Sequence, residues 1–463
     1  MVFAGRVQKS SILCTAGLLL ALCGCQGLKN GPISNTPNLG IQSINHIVFM
    51  AQENRSFDTY FGQLPAYWQA NGIAPQTFDG MPVGASNPSF DGTTTVPTYH
   101  LATECIENLS PSWNESHVDW NRTDPTSPTA TLDGYVYNAA KYAINNGFTD
   151  VVGARAMGYY DGSDLNYYYF MASNFATSDR WFSPAMDRTQ VNRMYLLAAT
   201  SQGYVYPPGT NANDMSPLTA PTIFDSLQKA NVTWKIYVTE CTATPCAAGS
   251  TYLSQFAPYA NQAPANVVPG TDFLKDALAG TLPQVSMIEG GYDSGLDEHP
   301  SSGNNIQVGA AYVQSLIDGF MNSPSWKDSV FILTYDEAGG LYDHVAPQPA
   351  INPDGIAPVD LNPGDICTTP GGSNCNFNYT GFRVPLLVVS PFTKQNYVSH
   401  AVADYTAILK FIEARFKLSA LTQRDAAQMD MTEFFDFQNV PWATPPTPPV
   451  QARGGVCDAT KLQ

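Results

Sequence analysis

Three short runs of apolar, β-branched residues stand out along the chain, at residues 44–51 (INHIVFMA), 329–335 (SVFILTY) and 384–389 (VPLLVV). Successive side chains of a strand point to opposite faces of a sheet, so a run that is apolar throughout indicates a strand covered on both faces. Strands of this kind, alternating with helical patterns, are typical of a parallel sheet. The expected fold class is therefore an α/β three-layer sandwich with a mostly parallel central sheet.

Apolar residues at helical spacing predict the covering layers. They occur in residues 223–230 and 309–321, and in a helix from about residue 403 to residue 417. Three long connections, residues 65–101, 204–217 and 346–380, are rich in Pro, Gly, Asn and Thr. Loops of this length commonly carry function, so we expect these three to roof a site.

The N-terminus has the pattern of a processing signal. Arg6 and Lys9 precede an apolar stretch, residues 11–23, that is too short to span a bilayer. The sequence LCGC at residues 22–25 resembles the lipobox of bacterial lipoproteins, which implies a membrane-anchoring lipid on Cys25. The alternative is an ordinary secretory signal cut near Gly24 or Gly27. In either case we expect an exported protein, with a signal peptide at residues 1–24 and a polar tether at residues 25–40.

Composition limits the classes of partner. Apolar residues make up 44% of the chain and charged residues only 13%, which is typical of a folded protein. The formal net charge is −17, so the phosphates of nucleic acids and of anionic bilayers repel the chain. We therefore expect no nucleic-acid partner. A phosphate-bearing substrate would need local cations, and bound metal is the obvious source.

Six cysteines follow residue 25, and an even number suggests disulfides in an exported chain. The simplest pairing closes two short loops and joins the two remaining cysteines: Cys241 with Cys246, Cys367 with Cys375, and Cys105 with Cys457. A metal site of thiolates is the alternative, although no CxxC pair supports it.

Two of the predicted strands end in acidic residues. Glu53 and Asn54 follow the first strand, and Asp336 and Glu337 follow the second. Ligands bind beyond the carboxyl ends of strands in open α/β sheets, where parallel pairing would bring these four side chains together. Their oxygen atoms would form a site for a hard divalent cation. The alternative is that these acids simply follow strands in solvated loops, which is common.

Three further residues could complete such a site. His344 follows two glycines that permit a tight return of the chain, and His299 lies in an equally polar loop, although a lone histidine is more often structural. Thr189 precedes the apolar stretch 194–199 and is predicted to be a helix N-cap. A hydroxyl there also lies where backbone N–H groups favour phosphate, and metal coordination would activate it. The set indicates a metal-dependent hydrolase.

Four ordered motifs resemble those of the bacterial phospholipase C and acid phosphatase phosphoesterase family. ENRSFDTYFG at residues 53–62 resembles the opening signature, and YDEAGGLYDHV at residues 335–345 resembles the second. FRVP at residues 382–385, continuing to Ser390 and Pro391, is similar to the third, and EHP at residues 298–300 to the fourth. The resemblance implies an alkaline-phosphatase-like phosphoesterase domain at residues 41–420, followed by a proline-rich tail at residues 421–463.

The resemblance also implies the ligands and the nucleophile. Glu53, Asn54, Asp336 and Glu337 would hold a divalent metal whose identity the sequence leaves open. Thr189 would be the nucleophile, because TQVNR at residues 189–193 is similar to the Thr-x-Pro-Asn-Arg segment of the family.

Roles for three histidines and two substrate-binding residues follow in the same way. His117, within ESHVDW at residues 115–120, would contact phosphate or donate a proton, together with His299 and His344. Asn192 and Arg193 would bind substrate.

The chain departs from the family pattern around the implied nucleophile. Asp187 and Arg188 stand where the family has Gly-Pro, and Val191 replaces a proline. The motif around His117 matches only in part.

The implied reaction consists of two displacements. Thr189 attacks phosphorus while a histidine protonates the leaving alcohol, and water then hydrolyses the phospho-threonine. The first hypothesis for the substrate is a phospholipid, as for a phospholipase C, and the second is a phosphate monoester, as for an acid phosphatase. The third is a catalytically dead phosphate-binding lipoprotein, which the presence of all the implied site residues disfavours.

Clustered aromatic residues allow one further hypothesis. A cage for a quaternary ammonium group could be formed by Tyr159, Tyr160, the three tyrosines at residues 167–169, and Trp181. Packing in the core is the alternative and the more common use of such side chains.

Overall fold

The computed structural model describes residues 40–209, 216–301, 303–368, 372 and 374–463. The predicted signal peptide, the predicted lipid-bearing Cys25 and nearly all of the predicted tether lie outside these residues. None of the described helices is both long enough and apolar enough to cross a membrane.

An eight-stranded sheet forms the centre of the described fold, with three two-stranded ladders beside it. The strands are β1 (His46–Gln52), β2 (Ser86–Pro88), β3 (Thr95–Pro97), β4 (Tyr99–His100), β5 (Gly158–Tyr159), β6 (Ala176–Ser178), β7 (Trp181–Phe182), β8 (Trp234–Val238), β9 (Val267–Pro269), β10 (Val285–Glu289), β11 (Ser329–Tyr335), β12 (Leu386–Val389), β13 (Tyr397–Ser399) and β14 (Ala403–Asp404). The order across the large sheet is β13-β6-β12-β11-β1-β10-β8-β9. β1 is thus a central strand, paired in parallel with both β10 and β11.

All seven residues of β11 are buried, as are six of the seven residues of β1. Because neighbouring side chains of a strand point to opposite faces, burial without alternation means that both faces of the sheet are covered. Every pairing in the sheet is parallel except the two pairings of β12. The predicted α/β fold with a mostly parallel central sheet is therefore confirmed.

The third predicted strand differs from the expectation. β12 begins two residues later than predicted and runs antiparallel to both β11 and β6. Arg383 lies near the edge where β11 ends, since it bonds to Asp343 at 2.9 Å. The chain therefore enters β12 from that edge, and residues 390 and 391 leave at the opposite edge from the acidic residues.

The described helices contact one another in several groups. The helices of the described residues are α1 (Phe57–Phe61), α2 (Leu64–Ala70), α3 (Trp113–Trp120), α4 (Tyr135–Asn146), α5 (Asn166–Asn174), α6 (Thr189–Ala198), α7 (Ile223–Lys229), α8 (Asp272–Ala279), α9 (Ile306–Met321), α10 (Thr406–Phe416) and α11 (Gln423–Ala426). α9 contacts α5 and α8, whereas α6 contacts α7 and α10. The three predicted helices correspond to α7, α9 and α10.

The clustered aromatic residues belong to the core and do not form an ammonium cage. Tyr160, the tyrosines at residues 167–169 and Trp181 are at most 1% exposed. The Tyr168 hydroxyl donates to Glu298 Oε1 at 2.5 Å, and Trp181 Nε1 donates to Thr334 Oγ1 at 2.9 Å. Rings buried to this extent cannot receive a ligand, although the Tyr160 hydroxyl has no hydrogen-bond partner among the described residues. Tyr159 is half-buried and cannot form a cage alone.

The predicted disulfides are all present: Cys241–Cys246, Cys367–Cys375 and Cys105–Cys457. Cys105–Cys457 joins residues 352 positions apart and fixes the C-terminal segment to the domain. Hydrogen bonds support the same attachment, since Glu104 N donates to Val456 O at 2.6 Å and Ala102 N donates to Leu462 O at 3.0 Å.

His344 lies in a network of charged groups that joins distant segments. Its Nδ1 is 2.7 Å from Asp58 Oδ2, and its Nε2 is 3.1 Å from Asp79 Oδ1. Arg383 bonds to both Asp58 Oδ1 and Asp343 Oδ1 at 2.9 Å. Burial alone lowers the pKa of His344, but the hydrogen bond and the charge of Asp58 outweigh it and raise the pKa above its ordinary value.

We predict that the long-range disulfide is the more important covalent constraint. Replacing Cys105 and Cys457 by serine should lower the free energy of unfolding by about 2–5 kcal/mol, because the bridge restricts a very long loop in the unfolded chain. Denaturant unfolding measures the effect. The matched control is the Cys241→Ser/Cys246→Ser pair, whose cysteines are 5 positions apart and whose loss should cost less. Equal costs for the two pairs would contradict the prediction.

We also predict that the His344 network makes stability depend on pH. Because the folded state raises the pKa of His344, the stabilisation is complete below the unfolded value of about 6.5 and is lost as the pH rises through the folded pKa. Denaturant unfolding at several pH values above 6 should show this loss. His344→Gln should flatten the dependence, and an unchanged slope in that variant would assign the titration to another group.

Candidate active site

The polar residues that follow β1 and β11 meet at one edge of the sheet. Gln52 pairs with Tyr335 at the end of the β1–β11 ladder, and Asp336 N donates to Gln52 O at 3.0 Å. Asn54 N donates to Asp336 Oδ1 at 2.9 Å. The predicted quartet of Glu53, Asn54, Asp336 and Glu337 is thus assembled by the register of two parallel strands, and each of its side chains is at most 3% exposed.

A glycine permits the close approach of the two segments. Gly339 has a φ of 72°, and a Cβ at this position would lie 2.4 Å from Asn54 O. Asn54 itself has a φ of 58°, in the left-handed region that asparagine tolerates better than most residues. Gly339 N also donates to Glu337 Oε2 at 2.5 Å and orients that carboxylate.

Thr189 is the first residue of α6, and its hydroxyl contacts the quartet. Thr189 Oγ1 is 3.2 Å from Glu53 Oε2 and 3.3 Å from Asn54 Oδ1. The predicted N-cap assignment is wrong by one residue, because Arg188 has the extended N-cap conformation and Thr189 is already helical. The Thr189 side chain is therefore directed at the neighbouring carboxylate and amide oxygens instead of capping the helix.

The three acids of the quartet carry more negative charge than the neighbouring positive groups neutralise. Burial, together with the charge of Glu53, raises the pKa of Asp336 to about 7, and burial and the charge of Asp336 raise the pKa of Glu337 well above its usual range. Asp336 Oδ2 and Glu337 Oε1 are buried without a hydrogen-bond partner. Unpartnered buried carboxylate oxygens beside an amide oxygen and a hydroxyl fit a hard divalent cation.

One arginine offsets part of this charge. Arg193 Nη2 donates to Glu53 Oε1 at 3.0 Å, and Arg193 Nε lies 3.8 Å from Asp336 Oδ2. The Tyr252 hydroxyl donates to the same Glu53 oxygen at 2.7 Å. Arg193 and Tyr252 thus hold Glu53 in place.

Two other groups of Asp and His side chains bring one ligand atom each within 4.8 Å of one another: Asp58 with Asp343 and His344, and His100 with Asp161 and Asp164. Among the described residues, Glu53, Asp336 and Glu337 do not bring one carboxylate oxygen each within that distance of one another. In the first group, Arg383 already neutralises both aspartates.

A pocket of about 660 Å³ opens in front of Thr189. Its walls come from residues 108–112, 188–190, 249–255 and 289–299, with Tyr142 and Glu240 at the side. Among the described residues, none that lines the pocket belongs to the three long loops predicted to roof the site. Shorter segments after β8 and β10 supply the walls, because these strands end at the same edge of the sheet as β1.

The two predicted substrate-binding residues do not line this pocket. Asn192 is fully buried, and its side chain bonds to the backbone of Ala185 and Asp187. It holds the turn that precedes Thr189. Arg193 is 3% exposed and contacts Glu53. The Asn192 side chain bonds to the backbone before Thr189 and the Arg193 side chain bonds to Glu53, and neither lines the pocket.

Only one of the three predicted histidines lies in the pocket. His299 lines it, and its Nδ1 is 2.9 Å from Pro300 O, so Nδ1 carries a proton and Nε2 remains free for a ligand. Burial lowers the pKa of His299. His117 is fully buried with its ring nitrogens near the carbonyls of Trp113 and Asn374, and His344 is part of the network described above.

Three pocket residues were missed by the sequence analysis. Glu289 ends β10 beside β1, and burial raises its pKa to about 7. It accepts from Thr251 Oγ1 at 2.8 Å and Tyr252 N at 3.1 Å. The sequence did contain a signal for Glu289, since Val285–Glu289 is another mostly apolar run that ends in an acid. Tyr252 and Arg188 carried no comparable signal.

Comparison with known proteins places the chain among phosphoesterases. Residues 44–419 match the profile of the Phosphoesterase family. Phospholipase C B of Mycobacterium tuberculosis is 29% identical over 95% of this chain and 85% of its own length. The non-hemolytic phospholipase C of Burkholderia pseudomallei is 28% identical over 88% of this chain and 61% of its own length.

A solved structure of a protein in the alkaline phosphatase superfamily from Vibrio parahaemolyticus is similar over 80% of this chain and 78% of that chain, with 13% identity and a TM-score of 0.33. The match to the family profile includes the two strands that precede the quartet. It also includes Thr189 and His299. The chain belongs to the Phosphoesterase family.

Proposed function

We propose that the chain is a metal-dependent phosphoesterase of the phospholipase C type, with Thr189 as its nucleophile. The observation that carries the proposal is the position of Thr189 Oγ1, at the floor of the pocket and in contact with two members of the acidic quartet. The names of the relatives support the same reaction class.

Glu53, Asn54, Asp336 and Glu337 would hold the divalent metal together with the Thr189 oxygen. When bound, the metal would supply positive charge that lowers the pKa of the hydroxyl and stabilises the phosphoryl oxygens. The unpartnered oxygens of Asp336 and Glu337 support this assignment.

The residues of the chain account for the remaining steps. Thr189 Oγ1 would give its proton to the Glu53 carboxylate, 3.2 Å away, and attack phosphorus to form a phospho-threonine, while the bond from phosphorus to the leaving alcohol breaks. Glu53 would return the proton when the bond to Thr189 breaks in the second step. His299 would act in its imidazolium form, with a proton on each ring nitrogen, since it is the one predicted histidine that lines the pocket. It would give the Nε2 proton to that alcohol, a transfer that its lowered pKa favours, and would then accept a proton from the attacking water. Water then attacks the same phosphorus, the bond to Thr189 breaks, and phosphate or a phosphate monoester leaves.

Pocket composition favours a substrate with a cationic head group. Glu240 and Glu289 line the pocket together with the rings of Tyr142, Tyr252 and Tyr292. Carboxylates and aromatic faces are the groups that bind an ammonium ion. A phospholipid with a choline or ethanolamine head group therefore fits this pocket, although the sequence hypothesis placed the aromatic cage elsewhere.

A phosphate monoester is the second candidate substrate. Arg188 lines the pocket next to Thr189, with its Nε 3.1 Å from Ser112 Oγ. A monoester carries one more negative charge than a diester, and a guanidinium beside the nucleophile would match that charge.

We also propose that the protein is exported and is anchored to a membrane through a lipid on Cys25. The three disulfides support an oxidising compartment.

We predict that Thr189→Ala lowers kcat/KM by at least about 10³-fold, because the variant lacks the hydroxyl that contacts Glu53 and Asn54. Thr189→Ser keeps the hydroxyl and should retain activity. Hydrolysis of p-nitrophenyl phosphorylcholine and of p-nitrophenyl phosphate should be measured for both variants, with and without a chelator. Chelation should abolish turnover and added divalent metal should restore it. A fully active Thr189→Ala protein would refute the assignment, and the faster of the two substrates decides between diester and monoester.

We predict that Glu289→Gln raises KM for the phosphorylcholine ester by about tenfold, since the change removes a charge without removing its hydrogen-bond acceptor. The same variant should hydrolyse p-nitrophenyl phosphate with little change. An equal loss on both substrates would mean that Glu289 supports the quartet and does not recognise the head group.

A further inference from the structure

A second parallel strand pair delivers metal-binding side chains to one place. β4 and β5 pair through Tyr99 with Gly158 and through His100 with Tyr159. Asp161 and Asp164 follow β5, and Glu104 follows β4. The carboxyl ends of parallel strands meet at one edge, as they do at the active site. None of these side chains lines the active-site pocket.

The separations in this cluster suit a small divalent ion. His100 Nε2 is 2.7 Å from Asp164 Oδ2 and 3.9 Å from Asp161 Oδ2. The three ligand atoms all lie within 4.8 Å of one another. Two ligands of a tetrahedral Zn²⁺, each about 2.0–2.1 Å from the ion, are about 3.3 Å apart. The two observed separations lie on either side of that value, so small rotations of the side chains would suffice.

Glu104 provides an independent indication of a cation. Its side chain is 6% exposed, and its Oε2 has no hydrogen-bond partner among the described residues. Its carboxylate interacts electrostatically with Asp164, His100 and Asp161. The Glu104 backbone is held on both sides, since Glu104 N donates to Val456 O and Ile306 N donates to Glu104 O. A buried carboxylate oxygen without a hydrogen-bond partner, in a residue that interacts with the cluster, is the candidate for a fourth ligand.

We propose that His100, Glu104, Asp161 and Asp164 form a structural Zn²⁺ site separate from the active site. The set offers one imidazole nitrogen and three carboxylates, and an imidazole ligand favours a transition-metal ion over Mg²⁺ or Ca²⁺. With neutral His100, the four side chains carry a charge of −3, which a divalent ion reduces to −1. Binding displaces the proton on His100 Nε2 into solvent.

The position of the site gives it a structural role. Cys105 follows Glu104 directly and is bonded to Cys457. Gln451 Nε2 and Gln307 Nε2 both donate to the backbone carbonyl of Asp164. A metal at this place would join the segment after β4, the turn after β5 and the C-terminal segment that packs on them.

His400 provides a matched control within the same chain. Its Nδ1 is 2.9 Å from Asp179 Oδ1, so it forms a His–Asp pair like that of His100 and Asp164, and both rings are partly exposed. Unlike Asp164, Asp179 also pairs with an arginine, Arg180, at 3.9 Å. His400 therefore represents a simple ion pair, and His100 represents the proposed metal site.

The test is the Zn²⁺ content of the metal-stripped protein after incubation with Zn²⁺ alone and gel filtration. His100→Ala should bind one Zn²⁺ fewer than the wild type, and His400→Ala should bind as much as the wild type. Glu104→Gln should bind about tenfold more weakly. Hydrolysis by His100→Ala should be retained, which separates this site from the proposed catalytic metal. Equal Zn²⁺ content in all these proteins would overturn the proposal.

A second measurement follows the histidine ring ¹⁵N resonances during titration with Zn²⁺. Because His299 lines the active-site pocket, the signal that reports the proposed site is a Zn²⁺-dependent shift that is present in the wild type and absent from His100→Ala. The expected result is a single ring with metal on Nε2. The absence of any such shift during titration with Zn²⁺ would also overturn the proposal.

Discussion

The parallel pairing of β1 with β11 is the constraint on which the site depends. Both strands are buried along their length, so their register is fixed by packing on two faces at once. A shift by one residue would exchange the two faces and would also separate Glu53 from Asp336. The same pairing that builds the core therefore determines which side chains meet at its edge.

Concentrated negative charge is the second property that unites the molecule. The quartet, Asp297 and Glu289 place buried carboxylates around one pocket, and burial raises the pKa of Asp297 to about 8. Arg193 is the cation in direct contact with the quartet. Buried charges need partners, and a chain with a net charge of −17 has few lysines and arginines to supply them. Divalent metal is the natural complement of such a protein.

Much of the fold was predictable because its signals are local. Uninterrupted apolar runs identified β1 and β11, helical spacing identified α7, α9 and α10, and short cysteine separations identified two disulfides. The acids at strand ends were predictable for the same reason, since they are adjacent in sequence to the strands that position them.

The errors concern properties that only long-range packing determines. The antiparallel direction of β12 depends on which edge the preceding loop occupies. The positions of two histidines were equally unreadable from local patterns: the rings of His117 and His344 bond to a backbone carbonyl and to an aspartate outside the pocket, and their implied roles stay predictions. Tyr252 reaches Glu53 across 199 positions of sequence, and no local pattern reports such a contact.

The bridge between Cys105 and Cys457 has a consequence for biosynthesis. A chain made from its N-terminus presents β1 long before β10 and β11 exist, so its apolar side chains must stay unpaired while most of the protein is still being made. The final covalent link forms only after residue 457 has become available. Closure of this bridge therefore requires synthesis to have passed residue 457, and a chain that stops earlier would retain a free thiol at Cys105.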